Sequence, residues 1–214
     1  MDRGMILRTL VAMAGLAGML GGCGVYREAT TPRIDTSVGW RPIATDADRE
    51  RLRKWRDAWE EALPLAKAAN PAVIAGDPTL FDPDRALGDA MPPAGSYRCR
   101  TYKLGGAGTA VSPLTIGDWQ PCTLTQVGEV LHFRVSGGVQ RAEGNIFPET
   151  RARVIFIGTL EIGDESAPLR YGIDNARDLL GYGEQIEARR WRFVMPYPRF
   201  ESKLDVVEMV PTGI

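Results

Sequence analysis

The sequence predicts a mainly β domain of the α+β class: an antiparallel β-barrel or sandwich of lipocalin-like size, with one N-terminal amphipathic helix packed on it. Three observations carry that expectation. From Ser96 onward, apolar and polar residues alternate with period two. Turn residues interrupt these runs about every ten positions, which suits hairpin-connected strands and not parallel βαβ units. Before Ser96, one stretch carries apolar residues at three- and four-residue steps, the mark of a single helix face.

The chain opens with Arg3 and Arg8, then an apolar run from Thr9 to Leu20 broken only by small residues, then Leu20-Gly21-Gly22-Cys23. That charged, apolar, small order is a secretory signal, too short and glycine-rich for a membrane span. Its end resembles the bacterial lipobox, which implies acylation of Cys23 as the membrane anchor. Gly24 in place of aspartate points, by resemblance to lipoprotein sorting, to the outer membrane, with the protein facing the periplasm. Residues 1–22 are thus expected to be a signal peptide, 23–44 a lipid-anchored tether and 45–214 a single globular domain. With Cys23 assigned to lipid, Cys99 and Cys122 remain, an even pair in an oxidising compartment. Their disulfide would contribute about 3 kcal/mol by restricting the unfolded chain.

The helix begins at Thr45, a capping residue with Asp48 three positions on. Leu52, Trp55, Trp59, Leu63 and Ala66 form its apolar stripe, a face for packing on the sheet or for docking a partner. Pro64 is expected to kink or shorten it, and Asn70-Pro71 to end it. Asp82-Pro83 starts a short helix or turn; the calcium-loop spacing that Asp82 and Asp84 suggest lacks its glycine and terminal glutamate. Leu131, Phe133 and Val135 alternate with His132 and Arg134 ahead of a Gly137-Gly138 hairpin turn. Runs at Arg153–Ile162, Gln185–Met195 and Lys203–Val210 complete the strands, with a short helix expected over Asp174–Leu180.

A net charge of −1 and pI near 6.0 argue against nucleic-acid binding. Nucleophile-elbow, phosphate-loop and dinucleotide motifs are absent: Gly105-Gly106-Ala107-Gly108 has no lysine-serine end and no third glycine at the required spacing. His132 is the only histidine, so a zinc site is not expected, nor any other metal or cofactor. Arginines remain. Arg98 and Arg100 share a strand face, as do Arg190 and Arg192, with Trp191, Phe193 and Met195 on the opposite, core-facing side. Arg141 and Lys103 could join them. Such guanidinium groups suit an anionic small molecule, a glycan or an envelope protein. Equally, they suit a salt-bridged surface, with Asp174, Asp178, Glu201 and Asp205 as partners.

Tyr97-Arg98-Cys99-Arg100, Gln140-Arg141, Tyr171-Gly172, Arg190-Trp191-Arg192 and Glu201-Ser202 resemble the landmarks of a domain-of-unknown-function family of proteobacterial envelope proteins, DUF4893, over Trp40 to Pro211. The resemblance implies one exported domain and transfers no catalytic residues. Three functions stay open: a non-enzymatic binding or scaffolding module; an inhibitor or accessory factor acting through the Gly105–Ser112 loop; and a hydrolase using carboxylates such as Glu201 and Asp205. An arginine-lined pocket, a protruding loop or two converging carboxylates, respectively, would distinguish them.

Overall fold

The computed structural model describes residues 39–106, 108, 111–199 and 201–213; the signal, Cys23 and most of the tether lie outside the described residues. Thr45 caps the first helix as expected: its hydroxyl accepts from the Asp48 amide at 3.2 Å. Helix α1 spans Asp46–Arg53. Lys54, at φ −89° and ψ 22°, breaks the path, and α2 resumes over Trp55–Ala69. Pro64 does not interrupt α2. It faces solvent, so the Glu60 carbonyl it leaves without a helical donor can bond water. Asn70 ends α2 and also caps α3, Pro71–Gly76, by accepting from the Val73 amide.

Among the described residues nine strands follow: β1 Gly95–Leu104, β2 Leu114–Ile116, β3 Gln120–Val127, β4 Val130–Val135, β5 Gln140–Pro148, β6 Val154–Ile162, β7 Asp178–Glu187, β8 Arg190–Pro196 and β9 Leu204–Pro211. Every pairing is antiparallel, and β1 also pairs with β9, which closes an eight-stranded barrel and leaves short β2 as a flange on β1. Closure removes the unpaired edges that an open sheet would present. The barrel therefore resolves the choice between barrel and sandwich.

Alternation sorts side chains between lumen and outer face. Tyr97, Leu124, Phe133, Phe156, Trp191, Phe193 and Met209 point inward and fill the lower lumen. Three phenylalanine rings meet there, Phe133–Phe193 at 5.4 Å and Phe133–Phe156 at 5.7 Å between centroids. Gly183 makes room for them: a Cβ there would lie 2.5 Å from the Phe193 ring. The chain before β1 closes this end. Leu87 and Ala90 donate to the Gln185 and Arg151 carbonyls, and Ala90 packs into the luminal core.

A second core lies outside the barrel, between its wall and the helices. Trp59 is buried against Tyr182 and donates to its hydroxyl at 2.8 Å, with Ala58, Ala62 and Ala66 alongside. Both tryptophans of the predicted stripe thus pack on the barrel, Trp55 edge-on to Tyr182. Trp40 and Ala44 belong to the same outer core.

Two further local expectations fail. The run Gln185–Met195 is two strands, because Ala188-Arg189 makes a tight turn with Arg189 at φ 60°. Residues 174–177 form turns, not a helix. The Asp174 carboxylate accepts from the Ala176 amide and its carbonyl from Arg177 and Asp178, and β7 begins at once. Asp82 also makes a turn, its side chain accepting from the Asp84 amide at 2.9 Å.

Candidate functional site

The upper end of the lumen is open. Here the inward faces of the strands carry smaller side chains, and a cavity of about 400 Å³ remains, within the usual range for small-molecule sites of roughly 300–1,000 Å³. Its floor and walls are apolar: Val135, Leu160, Leu179, Met195 and Val207, with Cys99 beside them. Cys99 and Cys122 form the expected disulfide, joining β1 to β3 inside the barrel.

A polar collar rims the mouth, built by strand parity. Along the inward face of β1, Tyr97 and Cys99 give way to Thr101 and Lys103; along β9, Met209 and Val207 give way to Asp205. Antiparallel register sets Lys103 opposite Asp205. The Lys103 ammonium lies 3.4 Å from Asp205 Oδ2 and 3.4 Å from Glu201 Oε2. Asp205 is buried and also accepts from the Ser202 hydroxyl. Burial pushes its carboxyl above the usual range, while Lys103 and Ser202 pull the other way. Gln140 donates to Glu201 Oε2 at 3.4 Å, and Gln120, Thr115 and Asp118 complete the rim.

Glu201 stands in the β8–β9 loop at φ 64°, and Tyr197 in the same loop at φ 45°. The loop is held against α2: Tyr197 Oη and Lys203 Nζ donate to the two Glu61 oxygens at 2.8 and 2.6 Å. The hairpin glycines Gly137 and Gly138 form the opposite lip. Gly105 packs so closely on α2 that a Cβ would fall 2.9 Å from the Ala62 Cα. Of the Gly105–Ser112 loop, Ala107, Thr109 and Ala110 lie outside the described residues.

The predicted arginines all project from the outer surface of the barrel, not into its lumen. Arg98 is exposed, and both Arg98 and Arg100 lie over the Trp119 ring, at 4.5 and 4.4 Å. Arg100 also meets Glu208 at 3.3 Å. Arg190 reaches Asp77 and, at 2.6 Å, Glu208, so β1 and β8 share one carboxylate between two guanidinium groups. Arg192 is fully buried under the helical layer, 2.8 Å from Glu184, and donates to the Leu80 and Arg85 carbonyls. Arg141, away from the others on β5, pairs with Glu161 at 2.9 Å and bonds three backbone carbonyls. His132 is on the outer face too, between Glu143 at 3.0 Å and Asn145 at 3.1 Å, and the Glu143 bond raises its pKa. Both ring nitrogens are thus engaged.

The sequence sets Glu201 and Asp205 together as carboxylates and Lys103 apart as a cation, but does not show that all three ring one cavity. The available signal was parity: polar residues replacing apolar ones on the inward face at one end of both β1 and β9.

Compared with curated proteins and with solved structures, the chain matches none. A family model does match it, over residues 40–209, from the buried Trp40 to Met209 within β9. The chain therefore belongs to the family described as Domain of unknown function (DUF4893).

Proposed function

We propose that this protein is a non-enzymatic binding module of the cell envelope, and that its binding site is the open end of the barrel. One observation carries the proposal: a lined cavity of about 400 Å³ with apolar walls and a few convergent polar groups at its rim. The ligand is a small amphipathic molecule, its apolar part against Leu160, Leu179 and Met195 and its polar part at the collar. Titration with the neutral dye Nile red tests this. The wild-type protein should saturate with enhanced, blue-shifted emission. Ala142→Phe, which puts a ring into the cavity, should weaken that binding at least about tenfold while the melting temperature changes little. Unchanged dye binding by the variant would refute the site.

Anchoring at Cys23 completes the proposal and is supported by the disulfide, a bond typical of proteins that mature outside the cytoplasm. Cys23→Ser should move the protein from the membrane to the soluble fraction; full membrane retention would contradict the anchor.

A second reading has its own observation. Glu201 and Asp205 converge on the cavity mouth with Asp205 buried, as a carboxylate-dependent hydrolase would require. Lys103 stands between the two carboxylates, where a scissile bond would have to lie, which favours binding over hydrolysis. A hydrolase would consume its bound ligand, whereas a binding module returns it intact. An anionic small molecule, a glycan or an envelope protein would instead be met on the outer face, at the exposed Arg98 above Trp119.

A further inference from the structure

Among the described residues, the collar carries one ammonium, Lys103, against three carboxylates, Asp118, Glu201 and Asp205. Lys103 and Asp205 are cross-strand partners with side chains only 16% and 10% exposed, so each compensates the other. That leaves Glu201, 42% exposed, and the exposed Asp118 as an excess of negative charge at the rim. We propose that the cavity takes an amphiphile with a protonated amine head, its alkyl part in the lumen and its ammonium on Glu201. This deepens the binding assignment above and depends on the cavity being the binding site.

The geometry at Glu201 supports the assignment. Its contacts to Lys103 and to Gln140 are both 3.4 Å, longer than the about 2.7–2.9 Å of a close charge-assisted hydrogen bond. A ligand ammonium at normal distance would therefore displace weak contacts, not strong ones. Glu201 is also held in the left-handed region at φ 64°, where a non-glycine residue costs stability. The two bonds to Glu61 hold its loop in place, so the carboxylate is presented at the mouth without a ligand. An anionic head would lie against Glu201 and Asp118, and could reach Lys103 only by breaking that ammonium's carboxylate contacts.

The experiment is displacement of Nile red at pH 7 by decylamine, decanol and decanoate, three ligands with one chain and different heads, each kept below its micelle concentration. Decylamine should displace the dye at a concentration at least about tenfold lower than decanoate, with decanol between. Glu201→Gln should remove most of that amine preference and leave decanol unchanged. Glu201→Gly should do the same while raising the melting temperature, because glycine relieves the left-handed backbone; a purely structural Glu201 would not separate the two readouts in this way. Equal or better displacement by decanoate, or an amine preference that survives Glu201→Gln, would overturn the head-group assignment alone. Failure of all three ligands to displace the dye would overturn the cavity as a binding site, and the head-group assignment with it.

Discussion

Asp178 shows how a buried residue couples this fold to pH. At the start of β7, its carboxylate accepts from the Gly172 amide and lies in a buried setting near Asp48. Burial is the largest influence and lifts its pKa from 3.8 to about 6, against the pull of the Gly172 bond. A carboxyl raised in the folded state keeps its proton after the unfolded chain has lost it. Its contribution to stability is therefore favourable in acid, falls as pH rises from 3.8 to about 6, and stays low above that. Asp178→Asn keeps an oxygen for Gly172 and does not titrate. The variant should gain on the wild type across that window, by about 3 kcal/mol at full extent, in denaturant titrations run at pH 4, 5, 6 and 7. Parallel pH profiles for the two proteins would contradict the assignment. The sequence offered Asp178 only as an arginine partner, because the burial that moves its pKa comes from elements distant in the chain.

At the scale of elements, the 77–87 segment is tied to the barrel through Arg192. This guanidinium lies beneath the segment, donates to the Leu80 and Arg85 carbonyls, and pairs with Glu184, which also receives Arg153 at 2.8 Å. Breaking a buried pair from one side leaves an uncompensated charge, so Arg192→Ala should cost about 3–5 kcal/mol. Arg192→Met combined with Glu184→Leu should recover much of that loss in urea unfolding; a single variant as stable as the wild type would contradict the pairing. Parity made part of this legible. The sequence correctly sends Trp191, Phe193 and Met195 to one face and Arg190 and Arg192 to the other. It does not reveal that helices cover the second face, nor that the arginine partners are Asp77, Glu184 and Glu208. The helix stripe was legible for the same reason: Trp59 and Ala66 recur at the spacing of one helix face. The Ala188-Arg189 turn was not, since neither residue is a usual turn former and only the backbone places Arg189 at positive φ.

The whole molecule divides along the barrel axis. Aromatic side chains and the 87–93 segment close one end; small and polar side chains leave the other open above the Cys99–Cys122 disulfide. Closure was not visible in the sequence, because it depends on β1 meeting β9, strands separated in the chain by all the others. Hence the cavity was not visible either, although Lys103, Glu201 and Asp205 each stood out. The two cores, luminal and outer, give the site an independent reporter set. Methyl groups of Val135, Leu160, Leu179, Met195 and Val207 line the cavity, whereas those of Leu80, Ile155 and Val194 lie in the outer core. The most direct measurement is a methyl-resolved NMR titration of the protein with decylamine. Saturable shifts should be concentrated in the luminal set, with Leu80, Ile155 and Val194 almost still. Shifts confined to the outer face, or none in the lumen at saturating ligand, would contradict a binding cavity in the barrel.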